Sequence, residues 1–294
     1  MSMVSQPVHR KAGHAGPATR SVGDRQLNQH PERVFELEGW TVHEVASVDS
    51  TNLFAANLPV WHAVRAEIQT AGRGRFQRVW ISDQGGLWLS AVVPSPPRGV
   101  ASSGPGHENA GSFAPPCSRP AQPWLPLVAG LAVCDALAEL GLTGFRMRWP
   151  NDVLVRDRKL AGLLLDQFTP AHVVVGVGLN VRNQPEASDA ALQNQATRLA
   201  DWLPESSGLT EVAAVVLRHL RRLALEASQQ GFAAIHPRVN ALWQGPRRVQ
   251  LLLDDGSRPG MFTSVDKDGC LLLEDEAGRT TAYDPSQVLH LREI

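Results

Sequence analysis

The chain has 294 residues, 43% of them apolar, enough to fill one core and a smaller satellite. A formal net charge of −1 gives no general basic field for a nucleic-acid backbone or an anionic membrane surface, so a partner must be recognised locally. Cys117, Cys134 and Cys270 are an odd set without a close pair, which speaks against a disulfide framework and a paired-cysteine zinc site and predicts reduced thiols.

In chain order, residues 1–40 read as a disordered tail, without the apolar stretch of a secretory signal. No segment reaches the roughly 20 continuous apolar residues of a membrane helix, so a soluble, cytoplasmic protein is expected. DSTN at 49–52 precedes the apolar LFAANL and reads as a helix N-cap, which explains Asp49 or Ser50 without any ligand. AVRAEIQT (63–70) and LWLSAVVP (87–94) read as strands. Between them TAGRGRFQRVW (70–80) combines glycines, which allow tight backbone turns and expose amides, with arginine forks suited to carboxylate or phosphate. From Pro94 to Pro126 lie nine of the 21 prolines, among Gly, Ser and Ala. That composition cannot offset the entropy of ordering its backbone, and it predicts a flexible insertion at about 95–122 within one domain.

WLPLVAGLAVCDALAEL (124–140) has helical spacing and stops at Gly141. FRMR alternates until Pro150 halts it, and VLV and LAGLLLD then flank the charged turn RDRK as a hairpin, with Lys159 at its exit. Lys159 is one of three lysines, with Lys11 and Lys267, against 25 arginines, so an ammonium kept here suits a compact charge beside a carboxylate or phosphate. VVVGVGLNV (173–181) reads as a buried strand whose Gly176 and Gly178 imply close approach to its backbone, most simply by a ligand. Helical patterns follow at 209–228 and 232–243, and from Arg247 short alternating strands with turns such as DDGS and DKDG predict a small β-barrel.

Taken together, DSTN, EIQTAGRGRFQRVW, RWPNDVLV, RKLAGLLLD and VVVGVGLNV resemble the motif set of the biotin protein ligases. The resemblance runs at motif level from Val45 to Val181. It implies an α+β fold: a mixed β-sheet with helices, like the catalytic domain of class II aminoacyl-tRNA synthetases, over residues 41–244, and a small C-terminal β-barrel over 245–294. It further implies ATP and biotin as substrates, Mg2+ with the ATP, a biotinyl-5′-AMP intermediate, and transfer to a lysine of a biotin carboxyl carrier protein. The biotin set it implies is Ser50, Thr51, Asn52, Gln69, Arg73, Gly74, Arg75 and Lys159. The ATP set is Arg75, Arg78, Trp80, Asn151, Lys159 and Asn180, with Trp202 as the other candidate for stacking on adenine. Lys159, Arg75 and Asp152 are the implied catalytic residues, Asp152 orienting or deprotonating the acceptor amine; no metal ligand is assigned. A lipoate or octanoate ligase or transferase of the same fold is the alternative, against which the polar set Ser50, Thr51 and Gln69 speaks.

The sequence also departs from that pattern. Phe76 and Gln77 stand where the family's loop commonly has arginine and glycine, from which slower loop closure or looser retention of the adenylate is expected. Arg148 stands where lysine is usual, keeping the charge with a different geometry. Ser264 stands where glycine is frequent, which puts the barrel's role in carrier docking in question. The residues before Val45 carry no helix-turn-helix pattern, so a monofunctional type without DNA binding is expected, as monomer or homodimer.

Overall fold

The computed structural model describes residues 31–95, 122–203 and 208–294. Most of the expected tail and insertion therefore lies outside the described residues. Pro31–Ile294 form one compact unit. Its centre is an eight-stranded sheet in the order β1-β2-β3-β4-β8-β7-β6-β5. The strands are β1 (Arg33–Leu37), β2 (Trp40–Val48), β3 (His62–Gln69), β4 (Leu87–Pro94), β5 (Phe145–Arg148), β6 (Asp152–Val155), β7 (Arg158–Asp166) and β8 (His172–Leu179). Only β2 and β3 run parallel; every other neighbouring pair is antiparallel. The sheet is mixed and the fold α+β, as expected.

The tail was expected to reach residue 40, but Arg33–Leu37 pairs with Thr41–Glu44 and Trp40 across a tight turn at Glu38 and Gly39, both at positive φ. The alternation in RVFEL is too short and too polar to read as a strand alone, and it becomes one because β2 offers an edge.

Burial follows from sequence. LWLSAVVP is buried over Leu87–Val93, and β8 pairs along its whole length, so these two strands form the middle of the sheet. The helices α1 (Thr51–Ala55), α2 (Leu125–Glu139), α3 (Leu209–Gln230) and α4 (Phe232–Ala241) begin and end within a few residues of the predicted patterns. The longer helices cover one face with a continuous core that includes Leu89, Leu131, Leu163 and Val216. Trp40 fixes this layer by donating its indole N–H to the Leu217 carbonyl at 3.0 Å. The other face carries only a small cluster around Val64, Trp88 and Val174, packed by α1 and Trp80. That thinly covered face is where the chemistry lies.

From Arg247, β9 (Arg247–Leu253), β10 (Gly256–Val265), β11 (Leu271–Glu274), β12 (Thr280–Tyr283) and β13 (His290–Glu293) form a second, antiparallel sheet ordered β12-β11-β10-β9-β13. Where a barrel was expected, no ladder joins β12 to β13 among the described residues. The second sheet is tied to the first by Arg146, 3% exposed, which donates to Asp157 at 2.7 Å and to both Glu293 oxygens. His236 also meets the Val265 carbonyl at 2.8 Å.

Among the described residues Cys134 and Cys270 are unbridged. Burial and the nearby Asp266, Asp284 and Asp268 charges push the Cys270 thiol up to about 12, and burial with the Asp135 charge raises Cys134. Neither is a nucleophile near neutral pH.

Arg146→Met should lower the unfolding free energy by about 2 kcal/mol, the scale of hydrogen bonds to charged groups. A urea midpoint equal to that of the parent protein would show that this ion pair does not hold the two sheets together.

Candidate functional site

A cavity of about 480 Å³ opens on the thinly covered face, between the start of α1, the arginine loop, β5–β8 and the Leu289–Leu291 segment. Its floor is made at Ser50–Asn52. Ser50 occupies the N-cap position of α1, yet its hydroxyl makes no capping bond, so capping does not account for it. Ser50 and Thr51 are each 4% exposed and line the cavity.

A hydrogen-bond chain supports this floor. Asn52 donates to the Leu164 carbonyl at 3.1 Å and to the Asp166 carboxylate at 2.8 Å, and Ser90 lies 2.6 Å from its Oδ1. Because Asn52 Oδ1 can only accept, the Ser90 proton goes there, and Thr51 supplies any proton shared across the 2.7 Å contact with Ser90. Gln69 Oε1 accepts from the Thr51 amide at 2.9 Å, while Gln69 Nε2 donates to Ser82 Oγ at 2.8 Å. A backbone N–H can only donate, so this orientation of Gln69 is fixed. Asn52, expected as a biotin contact, thus commits its carboxamide to the floor's support. Ser90, fully buried, is a residue the sequence reading missed, although one hydroxyl inside the apolar run LWLSAVV was a signal.

The glycines of β7 and β8 have a different cause from the one expected. A Cβ on Gly178 would lie 2.6 Å from the Trp80 indole, one on Gly162 would lie 3.0 Å from it, and one on Gly176 would collide with the Asn52 carboxamide. The groups that approach these strands are the protein's own. Lys159 Nζ sits 4.9 Å from the centroid of the Trp80 ring that these glycines admit. Trp202 does not line the cavity; it donates to Thr197 Oγ1 and packs beneath Arg156 and Arg158.

Lys159 is placed by its hairpin. Arg156 and Asp157 both take positive φ in the two-residue turn, and the register of β6 with β7 shifts between Val153 and Leu154, opposite Lys159. Lys159 Nζ then lies 2.7 Å from Asp152 Oδ1, and Arg148 Nη2 lies 2.7 Å from Asp152 Oδ2. Burial alone would raise the Asp152 carboxyl, but the Lys159 and Arg148 charges and their hydrogen bonds hold it below the usual carboxylate range. With both oxygens engaged by cations, Asp152 is a poor proton acceptor and a good positioner.

The arginine loop is narrow, with Arg73 bridged to Val79 and the Gly74 amide donating to the Arg78 carbonyl at 2.7 Å. Phe76 and Gln77, at φ 55 and 58, both stand in the left-handed region, where the glycine at the second position in the resembling loops would cost nothing. The loop's arginines have separate fates. Arg75 donates to the Pro285 and Val288 carbonyls, and Arg78 donates to the Leu289 carbonyl at 3.1 Å. Arg73 Nε and Nη2 are buried without a hydrogen-bond partner, as is Trp80 Nε1. Buried donors left unmade at a cavity wall are what an anionic or polar ligand would satisfy.

Asn151 donates to the Leu163 carbonyl at 2.7 Å, and Asn180 donates to the Thr197 carbonyl while accepting from Asn183 at 2.9 Å. Both line the cavity. A further wall was missed: the segment after β8, with Asp189, Leu192, Asn194, Gln195 and Ala196, runs beside Lys159, whose amide donates to Gln195 O at 2.7 Å. Its sequence, DAALQNQA, gave no signal.

The model of the biotin/lipoate A/B protein ligase family matches residues 43–106 and 118–180. The chain is 35% identical to a Mycobacterium tuberculosis protein named biotin--[acetyl-CoA-carboxylase] ligase, over 77% of this chain and 78% of that one. It is 29% identical to the Escherichia coli bifunctional ligase/repressor BirA, over 85% of this chain and 74% of that protein. Among solved structures, the biotin protein ligase of Aquifex aeolicus in complex with biotin and ATP superposes with a TM-score of 0.70 at 26% identity, covering 86% of this chain and 99% of that one.

Two outcomes check the site. Gly178→Ala should displace Trp80 and change the near-UV tryptophan signal while leaving the far-UV spectrum unaltered; a near-UV spectrum equal to that of the parent would contradict the steric argument. Asp152→Asn should be destabilising at neutral pH. Because the folded carboxyl is held below its unfolded value of about 3.9, the stability from Asp152 is fully present above that value. The gap between variant and parent should close only as pH falls through the depressed folded value. A gap already closing near neutrality would show that Lys159 and Arg148 do not hold it.

Proposed function

The chain belongs to the biotin/lipoate A/B protein ligase family, and we propose from that premise that its cavity joins biotin to ATP and passes the biotinyl group to a protein lysine. It is an ATP-dependent biotin ligase. The observation that carries the placement of the chemistry is the pair of unmade Arg73 donors in the same cavity as Lys159 and the polar floor at Ser50, Thr51 and Gln69.

The floor suits a planar ureido group, which has two N–H donors and a carbonyl, and a lipoyl ring offers nothing comparable. The carboxylate end then meets Lys159 and Arg73. A carboxylate and an α-phosphate are both anions, so bringing them in line requires cations already in position. The carboxylate oxygen attacks the α-phosphorus, its O–P bond forms, the bond to the β-phosphate oxygen breaks, and pyrophosphate leaves. Lys159, held by Asp152 and lying over Trp80, stands at the junction of acid and nucleotide. Trp80 is the ring offered to adenine, and Asn151, Asn180 and Arg78 border the nucleotide's share of the cavity.

Magnesium would enter with the ATP phosphates. Among the described residues no group of three or more His, Cys, Asp or Glu is placed to hold a metal ion, so the chain's part is the fixed cations and amides. The acceptor is the lysine of a biotin carboxyl carrier domain, whose amine expels AMP from the mixed anhydride. We place the reaction in the cytoplasm, where ATP is supplied and thiols such as Cys134 stay reduced. No helix among the described residues is long and apolar enough to cross a membrane.

Pyrophosphate exchange into ATP should require biotin and ignore lipoate, and Lys159→Ala and Arg73→Ala should each lower it by about 100-fold, as losing one preorganised charge does. Exchange supported by lipoate alone would move the substrate to the other branch of the family. Full exchange in Arg73→Ala would remove that arginine from the anion site.

A further inference from the structure

We infer that His290 is a catalytic residue of the transfer step: its imidazole takes the proton released when the acceptor lysine attacks the biotinyl adenylate. The inference rests on the ligase reading above and on which groups border the cavity.

The attacking nitrogen must lose a proton. A neutral amine that adds to the anhydride carbonyl becomes cationic and much more acidic, and the adduct reverts unless that proton is removed. Among the ionisable groups bordering the cavity, the arginines and Lys159 are cations that cannot accept it. Asp152 is engaged at both oxygens, Asp157 is paired with Arg146, and Asp189 accepts the Ala191 amide as a turn cap. His290 is the one imidazole on that wall among the described residues, at the start of β13, with its side chain exposed at the mouth. An acceptor lysine on another protein must enter through that mouth.

The surroundings favour the neutral imidazole. Partial desolvation and the Arg78 charge from the arginine loop, the Arg148 charge from β5 and the Arg292 charge from its own strand lower His290 below its ordinary value, against an opposing effect of Asp152. A neutral ring is the form that can accept. Arg78 Nη1 lies 3.4 Å from His290 Nδ1, a long contact that covers the basic nitrogen. The role proposed for His290 requires Arg78 to leave this contact during transfer.

The step balances. The lysine nitrogen bonds to the biotinyl carbon, the nitrogen's extra proton passes to His290, the bond from that carbon to the phosphate oxygen breaks, and AMP leaves with the electron pair. The imidazolium returns its proton to solvent through its exposed edge.

The test uses the full chain and a purified biotin carboxyl carrier domain as acceptor. Biotin-dependent pyrophosphate exchange and single-turnover transfer are measured from pH 5.5 to 8.5 for the parent protein, His290→Gln and His290→Gly with and without imidazole. The expected result is a transfer-to-exchange ratio about 100-fold lower in His290→Gln. The parent's transfer rate should rise with pH through an inflection below about 6.5 that the variant lacks, and imidazole should restore His290→Gly. Transfer equal to that of the parent, a parallel fall of both steps, or an inflection that survives the substitution would overturn the role of His290. Absence of biotin-dependent exchange in the parent protein would instead overturn the ligase reading itself.

Discussion

The site hangs on one carboxylate held between two cations. Asp152 meets Lys159 and Arg148 at 2.7 Å each, and the three come from strands that a short turn and a hairpin bring together. Deep in a protein such a group would be costly without partners, and with them it fixes the ammonium that the chemistry needs. Lys159 in turn lies over Trp80, Trp80 needs bare backbone at Gly162 and Gly178, and those glycines must sit on adjacent central strands. A charge pair near the sheet's edge therefore sets demands on its middle.

Much of this was legible in the residues and some of it was not. Long periodic segments announced themselves: the predicted helix at 124–140 forms as Leu125–Glu139, and the β-branched run at 173–181 is the strand that pairs fully with β4. β1 was missed because its stability comes from an edge that only the folded sheet provides. The polar set at 50–52 was found, but its division of labour was not. Asn52 and Ser90 look inward and Thr51 looks both ways, and only the partners of each oxygen reveal that. The wall at 189–196 lies beyond sequence reasoning for a plainer reason, since its backbone and not its residue types set it beside Lys159.

Reading glycines as space for a ligand was a sound rule with the wrong occupant. Gly176 and Gly178 do admit close neighbours, and the neighbours are Asn52 and Trp80. The same lesson applies to arginines. Three of them in one loop look equivalent as text, yet Arg75 and Arg78 bond to carbonyls of the segment between β12 and β13 while two of the Arg73 nitrogens are buried and unpartnered. Spacing assigned a loop, and hydrogen bonding assigned the individuals.

The acceptors that hold Arg75 and Arg78 are main-chain oxygens of Pro285, Val288 and Leu289. Every residue type carries such an oxygen, so the grip itself does not depend on which side chains stand there, although Val288 is also held by its burial in the core. Such a contact cannot be read from the residue types at these positions. It yields to moving the backbone between β12 and β13, by deletion, insertion or displacement of that segment.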